Sequence, residues 1–401
     1  MAEKLIGNAI IGQSGGPTCV INQSLVGVVE EAQKHAEIKN ILGARHGVQG
    51  MFKEDFIQLK SADPAELEAV AITPSAGLGS VRHKVNADDC GRLFEIFKKN
   101  EIRYMFYIGG NDSAETAHIV NGLAREAGYE FRIFHVPKTI DNDLRETDHC
   151  PGYGSAAKFV ALALMGDNLD NRSIPGIKID IVMGRHAGFL TAAAALGRKY
   201  EDDGPHLVYL PERPFSLEQF ATDVERVYKK LGRCVVAVSE GIADENHEPI
   251  AKKFINEVDS HGNVQLSGSG ALGDHLAAFV KKSLGEKTRV RADTFGYLQR
   301  CFPGCVSEVD AAEAREVGRK AVDYAMKGNI DGSVIINRLS EPGKGEHYMS
   351  EASLTELENV AKYTKSMPDE FINAEGNNVT QAYIDYALPL LGKIPQIGRL
   401  Y

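Results

Sequence analysis

Residues 137–143, PKTIDND, place one lysine and two aspartates directly behind an apolar, β-type run at 131–136. At the carboxyl end of a strand in an open α/β sheet, side chains face the ligand crevice, so Lys138, Asp141 and Asp143 would project toward one substrate. A carboxylate there can take a proton from a hydroxyl, and an ammonium can neutralise a phosphoryl group in transit. That is the chemistry of phosphoryl transfer. The plain alternative is a solvated turn, because lysine and aspartate around an Asn-Asp pair are ordinary loop residues.

Other glycine turns share this layout. Residues 14–22, SGGPTCVIN, follow a first strand and open a helix, where backbone N–H groups around Gly15 and Gly16 and the positive helix end could cradle a phosphate. Residues 109–113, GGNDS, also join a strand to a helix through Gly110 and Asn111, although Asp112 or Ser113 could serve merely as an N-cap. Arg82 follows a glycine turn in LGSVR. Arg185 follows one in MGRHAGF (183–189), suited to a phosphate. Glu240 in SEG (239–241) could accept hydrogen bonds from sugar hydroxyls, and RADTFGYLQR (291–300) carries Arg291, Tyr297 and Arg300, donors enough for a phosphomonoester. Each has a bland reading as a cap or surface ion pair, but so many at strand ends together describe a cleft for two phosphates.

These turns need strands and helices to carry them. Apolar, β-type runs at 8–11, 103–108, 131–136, 177–183, 206–210, 233–238 and 333–336 alternate with helical patterns at 87–99, 113–126, 156–170, 187–199, 217–231, 271–284 and 309–327. Such alternation marks βαβ units with parallel strands. The fold class is therefore α/β, and 401 residues suggest two domains with a cleft between them. Residues 340–346 read as an exposed loop.

Composition narrows the partners. The net charge is −10 and no basic cluster occurs, which argues against nucleic acid. No apolar stretch approaches a membrane span and no leader is evident, so no membrane partner and a cytoplasmic location are expected. Six cysteines without CxxC spacing read as reduced thiols, and the Cys301/Cys305 pair is assigned no metal. The absence of GxGxxG and GxxxxGK[ST] argues against a dehydrogenase and a Walker-type ATPase.

GGNDS, PKTIDND, MGRHAG, SEG and GYLQR, in this order and spacing, resemble the phosphofructokinase family, and more closely its pyrophosphate-dependent branch, over roughly residues 7–340. The resemblance implies two domains with mainly parallel sheets flanked by helices and an active site in the interdomain cleft. It implies a donor-binding domain at 1–152 plus 299–349 and a sugar-phosphate-binding domain at 153–298 plus 350–401. The implied activity is reversible transfer from pyrophosphate to the C1 hydroxyl of fructose 6-phosphate, with an ATP-dependent enzyme or a non-catalytic sugar-phosphate sensor as alternatives.

Residue by residue, the resemblance makes Asp141 the base, supported by Asp143, with Thr139 on the substrate. Met183, Gly184 and Arg185 would contact the sugar phosphate and the transition state, with Arg185 catalytic together with Lys138 and Asp112. Glu240, Tyr297 and Arg300 would complete the sugar-phosphate pocket, and Gly15, Gly16, Arg82 and Gly110 would face the donor. Arg291 would reach the pocket of an adjacent subunit, implying a homodimer or homotetramer. The positions of Asp112 and Lys138 are typically glycine in ATP-dependent relatives. An aspartate about 4 Å from the α-phosphate of ATP adds about 4 kcal/mol of repulsion at an effective dielectric near 20, which pyrophosphate escapes. Mg²⁺ is the implied cofactor. Asn111, standing where many relatives have a metal-binding aspartate, shifts the metal toward phosphate oxygens and water. Gly176 stands where relatives commonly place a basic residue, for which Lys178, two residues on, is the available substitute.

Overall fold

The computed structural model describes residues 5–83, 85–253 and 269–400. Its strands in chain order are β1 (Gly7–Gln13), β2 (Ile38–Ala44), β3 (Phe56–Gln58), β4 (Ile102–Gly109), β5 (Arg132–Pro137), β6 (Ile177–Val182), β7 (Leu207–Tyr209), β8 (Cys234–Ser239), β9 (Val290–Thr294), β10 (Asp331–Arg338) and β11 (Ser350–Thr355). The chain divides into two compact units.

The first unit comprises residues 1–153, 300–341 and 346–365. Its seven strands run in the order β11-β10-β5-β4-β1-β2-β3. The inner strands are parallel, while β3 and β11 pair antiparallel at the two edges. Parallel strands are buried on both faces, which is why β4 and β5 read as nearly unbroken apolar runs. One face packs Ile11, Phe106, Phe134 and Val136 under the helices Ile21–Gln33 and Glu308–Met326, and the other packs Met105, Tyr107 and Ile133 under Ala87–Lys99 and Asn111–Glu126. Caps fix where these helices begin. Asn86 accepts from the Asp89 N–H in a reciprocal capping box, and Ser307 accepts from Asp310. Residues 350–365, expected with the second domain, lie in the first unit because β11 completes the ladder of β10.

The second unit comprises residues 154–299, 342–345 and 366–401. Its sheet is fully parallel, in the order β7-β8-β6-β9. The helix Leu217–Leu231 starts at the Ser216 cap and stops at Gly232, whose φ of +70° is the left-handed C-cap conformation. The expected helix at 187–199 is shorter and changes type, running as an α-helix over Phe189–Ala192 and a 3₁₀ turn over Ala193–Gly197. Its alanine run is buried on every side, so no amphipathic stripe sustains a longer helix. Among the described residues no helix is long and apolar enough to cross a membrane.

Candidate active site

In the first unit, the sequence-predicted turns at 14–16, 109–112 and 138–143 leave the carboxyl ends of β1, β4 and β5, three neighbours in the sheet. Their adjacency is a consequence of topology, since parallel strands present all their carboxyl ends on one side. The Lys138 N–H donates to the Gly109 carbonyl (3.0 Å), extending the ladder into the turn. Beneath it His135, fully buried, bridges Gly109 O (2.8 Å) and Ser333 Oγ (2.7 Å). Burial pushes its imidazole down to about 4, so it is neutral at physiological pH.

The glycine pair works differently from the expected N–H cradle. The Gly15 N–H is bonded to Val81 O (2.9 Å) and its carbonyl accepts from Ser80 Oγ (2.6 Å), which stitches the turn to the segment leading into Arg82. Gly15 has a φ of +77°, and a Cβ there would lie 3.1 Å from Lys138 Nζ; one on Gly16 would lie 3.2 Å from Arg300 Nε. The glycines therefore admit two cations against the backbone. Lys138 is 3% exposed and donates to Gly16 O at 2.8 Å. Burial first, then the Arg300 guanidinium, hold its ammonium down at about 7; Arg82 acts in the same direction, while Asp141 and Asp143 act against it.

The two aspartates flank Asn142, a buried residue at φ +58° whose Oδ1 accepts the Cys150 N–H (2.9 Å). Asparagine tolerates that left-handed geometry, so the turn is locked with Asp141 and Asp143 half-buried on either side. Thr139, expected on the substrate, has its hydroxyl engaged within the turn, accepting the Asp141 N–H (3.1 Å) and bonding the Asp143 carboxylate. Burial, then the charge of Asp141, push the Asp143 carboxyl up to about 7. From far along the chain, the Lys365 N–H donates to Asp143 O, and its Nζ bonds the carbonyls of Thr147 and Asp148, all at 2.8 Å. His135, Asn142 and Lys365 carry no signal as a motif; only a histidine inside an otherwise apolar strand hints at one of them.

Asn111 and Asp112 occupy the first turn of the helix Asn111–Glu126, half-exposed and exposed respectively. Gly110 is the N-cap, so neither Asp112 nor Ser113 caps the helix. Arg82 is exposed.

In the second unit, β6 and β8 are parallel partners with Val182 opposite Ser239, so Met183–Gly184–Arg185 and Glu240 emerge side by side. Ser239 Oγ donates to Gly184 O (2.5 Å), and the Glu240 N–H donates to Val182 O (2.9 Å). A Cβ on Gly241 would lie 2.1 Å from Arg185 O, so the two turns touch only because residue 241 has no side chain. Met183 and Glu240 are buried, Arg185 is half-exposed, and Tyr297 is exposed beyond the end of β9.

Two expected members remain. Arg300 belongs to the first unit, where it lies against Gly16 and beside Lys138. Arg291 is exposed on edge strand β9 opposite Lys178, five residues before Met183 along β6, or about 16 Å at ~3.3 Å per residue. Lys178, the expected substitute at Gly176, is held by Asp167 (2.8 Å) and Asp293 (2.7 Å).

Residues 8–325 match the family model described as Phosphofructokinase. The chain is 54% identical over 397 residues, covering 98% of this chain and 96% of the relative, to the pyrophosphate--fructose 6-phosphate 1-phosphotransferase of Rhodospirillum rubrum. It is 38% identical, over 97% of this chain and 93% of the relative, to the enzyme of the same name from Xanthomonas campestris pv. campestris. Among solved structures, the pyrophosphate-dependent phosphofructokinase of Marinobacter aquaeolei superposes with a TM-score of 0.85 at 34% identity, covering 98% of this chain and 94% of that one.

Proposed function

The chain belongs to the phosphofructokinase family, and we propose that it transfers a phosphoryl group reversibly from pyrophosphate to the C1 hydroxyl of fructose 6-phosphate, yielding fructose 1,6-bisphosphate and phosphate. Relatives that match nearly the full chain carry that activity in their names. The observation that carries the donor assignment is Lys138, a buried ammonium seated against Gly16 O beside Arg300. In this reading Asp141 accepts the C1 hydroxyl proton as the oxygen attacks phosphorus, and the bond to the leaving phosphate breaks. Lys138 and Arg300 neutralise charge on the transferred and leaving groups, with Arg82, Gly15, Gly16 and Gly110 around the donor. Asp143 supports Asp141. Arg185 and Glu240, with Met183, Gly184 and Tyr297, hold the sugar phosphate.

Mg²⁺ fits this residue set. Asp141 and Asp143 offer hard oxygen donors on one turn, and burial first, then the neighbouring Asp141 charge, raise the proton affinity of Asp143. When bound with pyrophosphate it would shield the phosphate charge, relying more on phosphate oxygens and water because Asn111 offers no carboxylate. Arg291, exposed on β9 opposite Lys178, is assigned to the sugar phosphate of another copy of the chain, so in this reading the active form is a homodimer or homotetramer. A fully active monomer by sedimentation would exclude this.

The direct assay supplies fructose 6-phosphate and Mg²⁺ with pyrophosphate, ATP or no donor. Turnover with pyrophosphate is expected. Turnover with ATP alone would make the enzyme ATP-dependent, and none with either donor would make it a sugar-phosphate sensor.

A further inference from the structure

Alternation along β6 sends Ile177, Ile179 and Ile181 into the second unit's apolar core and turns Lys178 and Asp180 to the opposite face. Asp293 is the register partner of Asp180 on parallel β9, so it shares that face. Asp167, on the helix Tyr153–Ser173, reaches the same place, and one carboxylate oxygen from each of the three lies within 4.8 Å of the others. Asp180 is 0% exposed, and neither of its oxygens meets a hydrogen-bond donor; Asp167 Oδ2 lacks one as well. Lys178 supplies a single positive charge to this group, and its ammonium is bonded to Asp167 and Asp293, so Asp180 feels that charge without a hydrogen bond from it.

A fully buried carboxylate without a donor is costly, so it must take up a proton or a cation. Three carboxylates against one ammonium leave a charge of −2 when ionised, which a divalent ion would cancel. The donors are all hard oxygens, and Asp293, 60% exposed, leaves an entry path and room for coordinated water. We propose that Asp167, Asp180 and Asp293 bind a hard divalent cation of the Mg²⁺ or Ca²⁺ class, with Asp180 as the buried anchor, at a site separate from the metal that accompanies pyrophosphate. The ion would join the helix Tyr153–Ser173 to β6 and β9 three residues before Met183, bracing the strand that carries Met183–Arg185.

The test is titration calorimetry with Ca²⁺ and Mg²⁺, with Mn²⁺ followed by electron paramagnetic resonance, on the full-length enzyme without fructose 6-phosphate or pyrophosphate. Wild type is expected to bind one ion, Asp180→Asn and Asp293→Asn to lose at least tenfold in affinity, and Glu286→Gln, at an exposed carboxylate of the same unit, to bind as wild type. Should Asp180→Asn not fold, the exposed Asp293→Asn carries the test. The proposal is overturned if wild type binds no ion at millimolar concentration, which leaves a shared proton as the resolution, or if the Asp293 and Asp180 variants bind as wild type. Neither readout depends on turnover, so failure here leaves the phosphotransferase reading intact, and failure of that reading leaves this site intact.

Discussion

The two units present charged turns at the carboxyl ends of their parallel strands, but they treat the charges differently. The first unit buries Lys138 to 3% exposure among other cations and shifts its ammonium down to about 7. The second buries its acid, Glu240, and leaves its cation, Arg185, half-exposed, where water screens it. A charge excluded from water acts strongly on a reacting group, while a solvated one mainly holds an anion in place. The difference teaches a division of labour: substitutions in the first unit should change turnover, and those in the second should change affinity for the sugar phosphate.

The largest expected effect is at Asp141. Asp141→Asn preserves the turn and removes the proton acceptor, so kcat should fall about 10²–10⁴-fold while fructose 6-phosphate binding stays within a fewfold. Steady-state kinetics beside equilibrium binding decides it, and a loss in kcat below about tenfold would move the role to Asp143.

Lys138 sharpens the comparison because activity and stability should move in opposite directions. Lys138→Met should lower kcat/KM with pyrophosphate by about 10²-fold, on the order of 3 kcal/mol of transition-state stabilisation. It should also raise the Tm of the substrate-free protein, since an apolar side chain of similar length replaces a poorly compensated buried cation. The folded ammonium, at about 7, lies below the ordinary 10.5. Between those values the unfolded chain holds the extra proton, so Lys138 makes stability rise with pH from 7 toward 10.5. Over the same window kcat/KM for pyrophosphate should fall as the free enzyme loses the ammonium. Melting curves and rates across pH check both slopes; a Tm that drops in Lys138→Met would assign the residue to the scaffold.

Smaller effects belong to the second unit. Arg185→Lys keeps the charge and loses the fork, and Glu240→Gln keeps the shape and loses the charge-assisted acceptor. Each should raise KM for fructose 6-phosphate by about tenfold with kcat within a fewfold. A loss confined to kcat in either would break the division between the units.

Much of this site was legible because glycine turns at the ends of apolar runs are local features, and β4 and β5 are long enough to announce themselves. Among the described residues four strands were missed: β3 has three residues, β9 reads VRADT, β11 reads SEASLT and is held by pairing with β10, and β2, IKNILGA, has its apolar residues interrupted by Lys39 and Asn40. Lys365 supports Asp143 from more than two hundred residues away, a closeness made by tertiary folding that no window of sequence contains. The contact of Arg300 with Gly16 and its charge beside Lys138 are likewise tertiary, joining residues nearly three hundred and more than one hundred and fifty positions apart. The role of Gly15 was misread for a related reason: sequence supplies the positive-φ glycine but not the Val81 carbonyl that takes its N–H.

The central claim, that the buried cationic turn of the first unit is built for pyrophosphate, is tested most directly by kcat/KM for pyrophosphate and for ATP in wild type, Asp112→Gly, Lys138→Gly and the double variant. Wild type should prefer pyrophosphate at least about a hundredfold. Because Asp112 is exposed and its repulsion screened, Asp112→Gly should admit ATP only weakly. Lys138→Gly should depress pyrophosphate use far more than ATP use, and the double variant should depart from the product of the single effects. A wild-type enzyme that uses ATP as well as pyrophosphate would contradict the claim.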